Sequence, residues 1–292
     1  MTKKISYMPG CTLKTNARNL ETTALEFLNI FGIEAVELED WFCCGTTFSL
    51  ASDNLMYQLA PVRILVKAKQ SGNKKLLTLC SMCYNTIKRA QELIINDKEK
   101  RDKINDFMYK EDVEFNGDEV EVVHLLQLIK EDIGFKAVGK KIKNKTDIKV
   151  APYYGCLLLR PESVSIDSTE DPQIMEELFT AMGCEPVYFP LRTECCGSYH
   201  IVDNEEVIME KTYEIVSNAV NNGADVIVTS CPLCSYNLDS TQEEVKKKYE
   251  EFKPLPVLYI TQLMMLLLGG SIGDTSLHSI DPTRLLKEKA LL

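Results

Sequence analysis

The chain has 292 residues, 45% hydrophobic and 26% charged, which fits a globular protein of one large domain or two ordinary ones. Its 33 basic and 43 acidic residues leave a formal charge of −10, so a nucleic-acid role has no electrostatic support. The opening stretch 1–9 lacks the apolar core of a signal peptide, and the apolar run 257–268 is short and carries Thr261 and Gln262, so a cytoplasmic protein without a membrane span is expected.

The pattern predicts a strand over 4–8 that ends at Gly10-Cys11, then a helix over 16–31 with Leu20, Leu25, Leu28 and Phe31 on one side. Gly32 stops it, and a strand over 33–38 leads to Cys43-Cys44-Gly45. Asp53 is placed to cap a helix running towards Ser71-Gly72. A strand over 75–79 delivers Cys80-Ser81-Met82-Cys83 to the start of a helix that runs past Ala90. A charged stretch comes next, then a strand over 120–123 and a helix through Leu125, Leu128 and Ile129. The lysine-rich stretch 136–149 reads as a solvated linker.

The order then repeats. A strand over 148–154 ends at Gly155-Cys156, and a helix over 172–182 stops at Gly183. A strand over 186–189 precedes Cys195-Cys196-Gly197, and a helix covers 204–221. A β-branched strand over 225–229 delivers Cys231-Pro232-Leu233-Cys234, followed by a helix to about Tyr249. A strand over 257–260 and a helix over 261–268 close the unit. Strands alternating with helices predict an α/β fold: two pseudo-symmetric Rossmann-like halves with parallel sheets, at 1–140 and 141–292. In such sheets sites collect at the C-terminal strand ends, where every cysteine motif falls. One site per half is expected.

Ten of the eleven cysteines form two sets of five: Cys11, Cys43, Cys44, Cys80 and Cys83, then Cys156, Cys195, Cys196, Cys231 and Cys234. The eleventh, Cys184, aligns with Ile33 and reads as a small buried hydrophobe. In a reducing compartment such cysteines serve as metal ligands or redox groups. A single C-x-x-C is weak evidence, being equally a redox pair, half a zinc site or part of an iron–sulfur motif. A zinc ion or a cubane cluster takes four cysteines; five per half, twice over, favours an iron–sulfur assembly that uses all five. A C-x-x-C that opens a helix favours thiolates, and a glycine after each cysteine pair lets backbone approach a bulky cofactor.

The doubled five-cysteine pattern resembles the cysteine-rich CCG-domain family, within it the B subunits of heterodisulfide reductase from methanogenic archaea, over nearly the whole chain. The resemblance implies two noncubane [4Fe-4S] clusters, one on each set of five. It implies cleavage of the CoM-S-S-CoB heterodisulfide to coenzyme M and coenzyme B thiols, the disulfide lying between the clusters. It also implies two partners, a ferredoxin-like [4Fe-4S] C subunit and a flavin-carrying A subunit, with a hydrogenase or formate dehydrogenase module behind them. Related CCG proteins serve succinate or hydroxyacid oxidoreductases, so an electron-relay role is the rival reading. No ferredoxin run of cysteines is present, which places the electron supply on another polypeptide. No G-x-G-x-x-G follows a predicted strand, which leaves a nicotinamide site without support. The implied substrate is anionic, and the basic residues beside the motifs are Lys14, Arg160, Arg192 and His200. They are the candidate substrate contacts, with charge balance or surface pairing as the alternative.

Overall fold

A computed structural model describes residues 3–46, 54–111 and 113–292. Asp53 lies outside the described residues; within them, Asn54 caps the 3-10 turn Leu55–Gln58 by accepting from Met56 N. In chain order the first half comprises β1 (Lys3–Met8), α1 (Arg18–Ile30), β2 (Ile33–Glu37), α2 (Leu59–Gln70), β3 (Lys75–Thr78), α3 (Ser81–Asn96), α4 (Lys98–Phe107), β4 (Glu121–His124) and α5 (Leu125–Leu128). After α6 (Phe135–Lys140), the second half comprises β5 (Lys149–Tyr153), α7 (Ile174–Ala181), β6 (Glu185–Pro186), α8 (Glu205–Asn221), β7 (Val226–Thr229), α9 (Pro232–Ser240), α10 (Gln242–Lys248), β8 (Val257–Tyr259) and α11 (Ile260–Leu267). A last helix, α12 (Thr283–Glu288), closes the chain.

The two sheets have the same order, β2-β1-β3-β4 and β6-β5-β7-β8, and every pairing is parallel. Parallel strands covered on both faces need continuous apolar runs. Val226, Ile227, Val228 and Thr229 of β7 are all buried. The expected α/β duplication is therefore present in the fold.

Three elements differ from the sequence reading. The stretch 136–149 is not all linker: Phe135–Lys140 is helical, with Val138 buried. A Cβ on Gly139 would collide with the Ala181 carbonyl oxygen, so α6 is seated directly on α7. The strand expected over 186–189 shrinks to Glu185–Pro186. Pro186 is tolerated because β6 is an edge strand: Glu185 N and Val187 N donate on the β5 side, and the missing N–H falls on the open side. The charged stretch after α3 holds α4, whose N-cap Asp97 accepts from Lys100 N.

The halves are packed together through helices. Helix α1 of the first lies on α11 of the second. The Thr23 hydroxyl donates to Thr261 Oγ1 at 2.6 Å, and Thr261 donates back to the Leu20 carbonyl at 3.3 Å. Among the described residues no helix is long and apolar enough to cross a membrane.

Candidate metal centre

Each sheet brings its five cysteines to one edge. Strands β1 and β3 are neighbours, as are β5 and β7. They lead to Cys11 and Cys80, and to Cys156 and Cys231, so these residues emerge side by side where the winding direction reverses. Cys80 and Cys231 are the N-caps of α3 and α9, which carry Cys83 and Cys234 in their first turns. The Cys-Cys-Gly loops return from β2 and β6.

The thiols of each set lie together, and their neighbour contacts can be followed as a row. Cys43 bonds Cys44, Cys44 bonds Cys83, and Cys83 bonds Cys80, with Cys11 acting on Cys43. The second row runs Cys156, Cys195, Cys196, Cys234, Cys231 by the same kind of contact. Hydrogen bonds from Cys43 and Cys83 hold the Cys44 thiol well below its ordinary range, while Cys43 and Cys83 move up. Bonds from Cys156 and Cys196 pull Cys195 down to about 2, and its bond to Cys195 pushes Cys196 up to about 12. In each row one thiol is shifted towards thiolate, the form that binds metal.

Burial repeats with the same parity. Cys44, Cys80 and Cys83 are buried, as are Cys196, Cys231 and Cys234. The outer pairs differ: Cys11 and Cys43 are exposed, Cys156 and Cys195 half-buried. Gly10 and Gly155 have positive φ, +78° and +63°. A Cβ there would stand 2.9 Å from Cys83 Sγ and 3.0 Å from Cys234 Sγ. The close approach of backbone to thiol is therefore made by these glycines. The glycines after the cysteine pairs face helices: a Cβ on Gly197 would collide with Ile208 Cδ1, and one on Gly45 would touch Ala60. Among the described residues no three Cys, His, Asp or Glu side chains converge on one ion. A row of five thiols, backed by a glycine cradle, fits a compact group with several metal atoms.

The two sites face each other. Ser81 Oγ and Ser230 Oγ are 3.4 Å apart at the two C-x-x-C turns. The Tyr199 hydroxyl, just past the second Cys-Cys-Gly, is 3.1 Å from Thr46 Oγ1, just past the first. A cleft of about 980 Å³ opens between the halves, walled by Thr12, Arg18, Met82, Tyr199, Leu233 and Tyr259 among others. Among the described residues its wall carries no cysteine. Met82 and Leu233 also line a narrower recess that reaches Cys156, Cys196, Cys231 and Cys234.

The basic candidates are dispersed. Lys14 pairs with Glu21 and Glu37, both at 2.7 Å. Arg192 is buried; it pairs with Asp171 and Glu176 and stacks on Tyr188. Arg160 is exposed and donates to the Thr193 carbonyl at 3.0 Å. His200 is exposed beside Asp203, in a shallow recess with Cys195. His124 is buried as the cap of α5, accepting from Leu126 N, and burial pushes it down to about 4. None of these lines the cleft; Arg18 does. Arg18 finds no counter-ion among the described residues. The acidic groups of that wall are already engaged: Asp239 accepts from Ser279 N and Ile280 N, and Asp274 from Ser276 N. Sequence reasoning missed Arg18 because it stands seven residues past Cys11, and only the start of α1 turns it to the cleft.

The family model for the cysteine-rich domain, CCG, matches residues 5–88 and 150–239, one match on each half. The chain belongs to the CCG family. This CCG chain is 32% identical over 289 residues to the 8-methylmenaquinol:fumarate reductase membrane anchor subunit of Wolinella succinogenes, covering 98% of the chain and 100% of that relative. It is 28% identical to a protein of Archaeoglobus profundus that is like the B subunit of heterodisulfide reductase, covering 89% of each. It is 27% identical to the B subunit of the ferredoxin:CoB-CoM heterodisulfide reductase of Methanosarcina mazei, covering 92% of the chain and 90% of the relative. A crystal structure of a hypothetical protein from Helicobacter pylori superposes with a TM-score of 0.75 at 16% identity, over 96% of this chain. The CCG chain spans about half of that protein, 53%, and the likeness concerns the fold alone.

Cys184 stands apart from both rows. It is buried beside β6, its backbone N donating to the Phe179 carbonyl, and burial pushes its thiol up to about 12. Cys184→Val is expected to keep the iron content unchanged and to cost about 1 kcal/mol or less, as a volume-conserving core swap does. Iron analysis and a denaturation curve check this; loss of metal would place Cys184 among the ligands.

Proposed function

We propose that this CCG chain is an iron–sulfur subunit of a multi-subunit oxidoreductase, and that it reduces a disulfide at the cleft between its two sites. Cys11, Cys43, Cys44, Cys80 and Cys83 hold one noncubane [4Fe-4S] cluster; Cys156, Cys195, Cys196, Cys231 and Cys234 hold the other. The observation that carries this reading is the pair of five-thiol rows facing each other, with a large cleft opening between the halves. The heterodisulfide reductase relatives supply the substrate class, CoM-S-S-CoB. When bound, the clusters would supply the two electrons that, with two protons, turn one disulfide into two thiols. The chain's own residues shape the cleft, keep six thiols out of water and hold the two sites face to face. Electrons come from two partner polypeptides, one ferredoxin-like and one carrying flavin, in a reducing, cytoplasmic compartment.

Anaerobically purified protein should carry iron and acid-labile sulfide, and should reduce CoM-S-S-CoB with a reduced viologen as donor. A second reading, an electron relay in a menaquinol:fumarate reductase type of complex, is favoured by the full-length likeness to the Wolinella protein. Iron-replete protein that leaves the disulfide intact would favour that reading.

Within the first reading, Arg18 is the cation for an anionic substrate group in the cleft, with Arg160 and His200 at the outer side of the second site. Arg18→Gln is expected to raise KM for the heterodisulfide roughly 10- to 150-fold, as loss of a charge-assisted hydrogen bond of about 1.5–3 kcal/mol does. Steady-state kinetics at constant iron content measure it; an unchanged KM would remove Arg18 from the substrate site.

A further inference from the structure

The duplication extends beyond the cysteines, and one of the positions at which the halves differ lies beside the thiols. Cys83 and Cys234 correspond, so the residues one helical turn later, Thr86 and Asn237, correspond too. Both are buried, and both point back at a Cys-Cys-Gly loop. Asn237 Nδ2 lies 3.5 Å from Cys196 Sγ, 3.3 Å from the Cys196 carbonyl and 3.2 Å from the Ser198 carbonyl. Three acceptors around one nitrogen fix the amide's orientation, since the flipped form would set Oδ1 against two carbonyls and a sulfur. Thr86 has a single proton, and its hydroxyl donates to Thr46 Oγ1 at 2.9 Å. Thr86 also reaches the Cys44 thiol, so Cys44 and Thr46 share one hydroxyl proton, whereas Cys196 Sγ shares two amide protons of Asn237 with two carbonyls.

The sites also differ in exposure. The outer cysteines of the first are exposed and those of the second half-buried. A buried cluster resists the added negative charge of reduction, and an N–H directed at its sulfur relieves that charge. The difference between Asn237 and Thr86 thus opposes the difference in burial.

We propose that Asn237 is a positioning residue that raises the reduction potential of the C-terminal site through its N–H on Cys196 Sγ, offsetting that site's burial, with Thr86 as its weaker counterpart at the N-terminal site. The inference rests on the two-cluster reading. It keeps the two sites close enough in potential for each to deliver one electron to the same bond.

The test is a reciprocal exchange in the full chain, purified anaerobically, with iron and sulfide measured and the potentials read by titration followed by electron paramagnetic resonance. Asn237→Thr should lower the potential of one signal and leave the other in place. Thr86→Asn should raise the potential of the other signal. Unchanged potentials in both variants at full iron content overturn the proposal. Should Asn237→Thr fail to load its site, Thr86→Asn decides: a raised potential supports the proposal, an unchanged or lowered one overturns it. Wild-type protein without iron and sulfide overturns the two-cluster reading itself, a result distinct from unchanged potentials.

Discussion

Replacing Cys196 by alanine is expected to halve the iron of the chain, from about eight atoms to about four, because in the proposed reading each five-thiol row holds its own cluster. Cys196 is the middle of the second row, between Cys195 and Cys234. Its loss removes the thiol that contacts both Cys195 and Cys234. The first row shares no cysteine with the second, so its iron stays. Cys44→Ala is the mirror experiment and should remove the other half. Measured against sulfide and protein, the two variants would each keep one of the two wild-type spectral signals. Loss of all iron from either variant would mean one shared centre, and loss of none would mean that the central cysteine is no ligand.

The second large effect concerns stability. Arg192→Met is expected to destabilise the fold by about 3 kcal/mol, because removing one partner of a buried ion pair strands the other. The Arg192 side chain is 3% exposed, and Glu176, one of its two carboxylates, is 13% exposed. Asp171 is 70% exposed and can return to water, so the cost falls mainly on Glu176. Glu176 also accepts from the Tyr154 hydroxyl, and burial already pushes its carboxyl up. The same residue anchors the loop before Cys156: the Arg192 carbonyl accepts from Tyr154 N at 2.9 Å and Gly155 N at 3.3 Å. A shift of the denaturation midpoint at unchanged slope measures the loss. An unchanged midpoint with a raised KM would instead place Arg192 at the substrate.

The contrast between these two experiments reflects what each level of structure carries. The cysteine sets were readable in the chain itself. Each motif comes a few residues after a predicted strand, and a strand end places the next residues with little freedom. The duplication served as an internal control: it showed that five positions recur and that Cys184 does not, falling instead on the core position of Ile33. The parallel sheets were readable for the same reason, because apolar runs and glycine stops are local signals.

The partners of the charged groups were decided by the tertiary structure. Lys14 meets Glu37, and Arg192 meets Asp171 and Glu176, through contacts that no local spacing encodes. Arg18 faces the cleft because the first turn of α1 borders it, and the cleft itself exists only once the halves dock through α1 and α11. The roles of the glycines were settled in the same way. Chain order suggested that Gly45 and Gly197 approach a cofactor; packing sets these two against Ala60 and Ile208, and presses Gly10 and Gly155 against the thiols of Cys83 and Cys234. Local sequence determines which residues arrive at a strand end; what they meet there depends on chain segments whose positions only the folded core fixes.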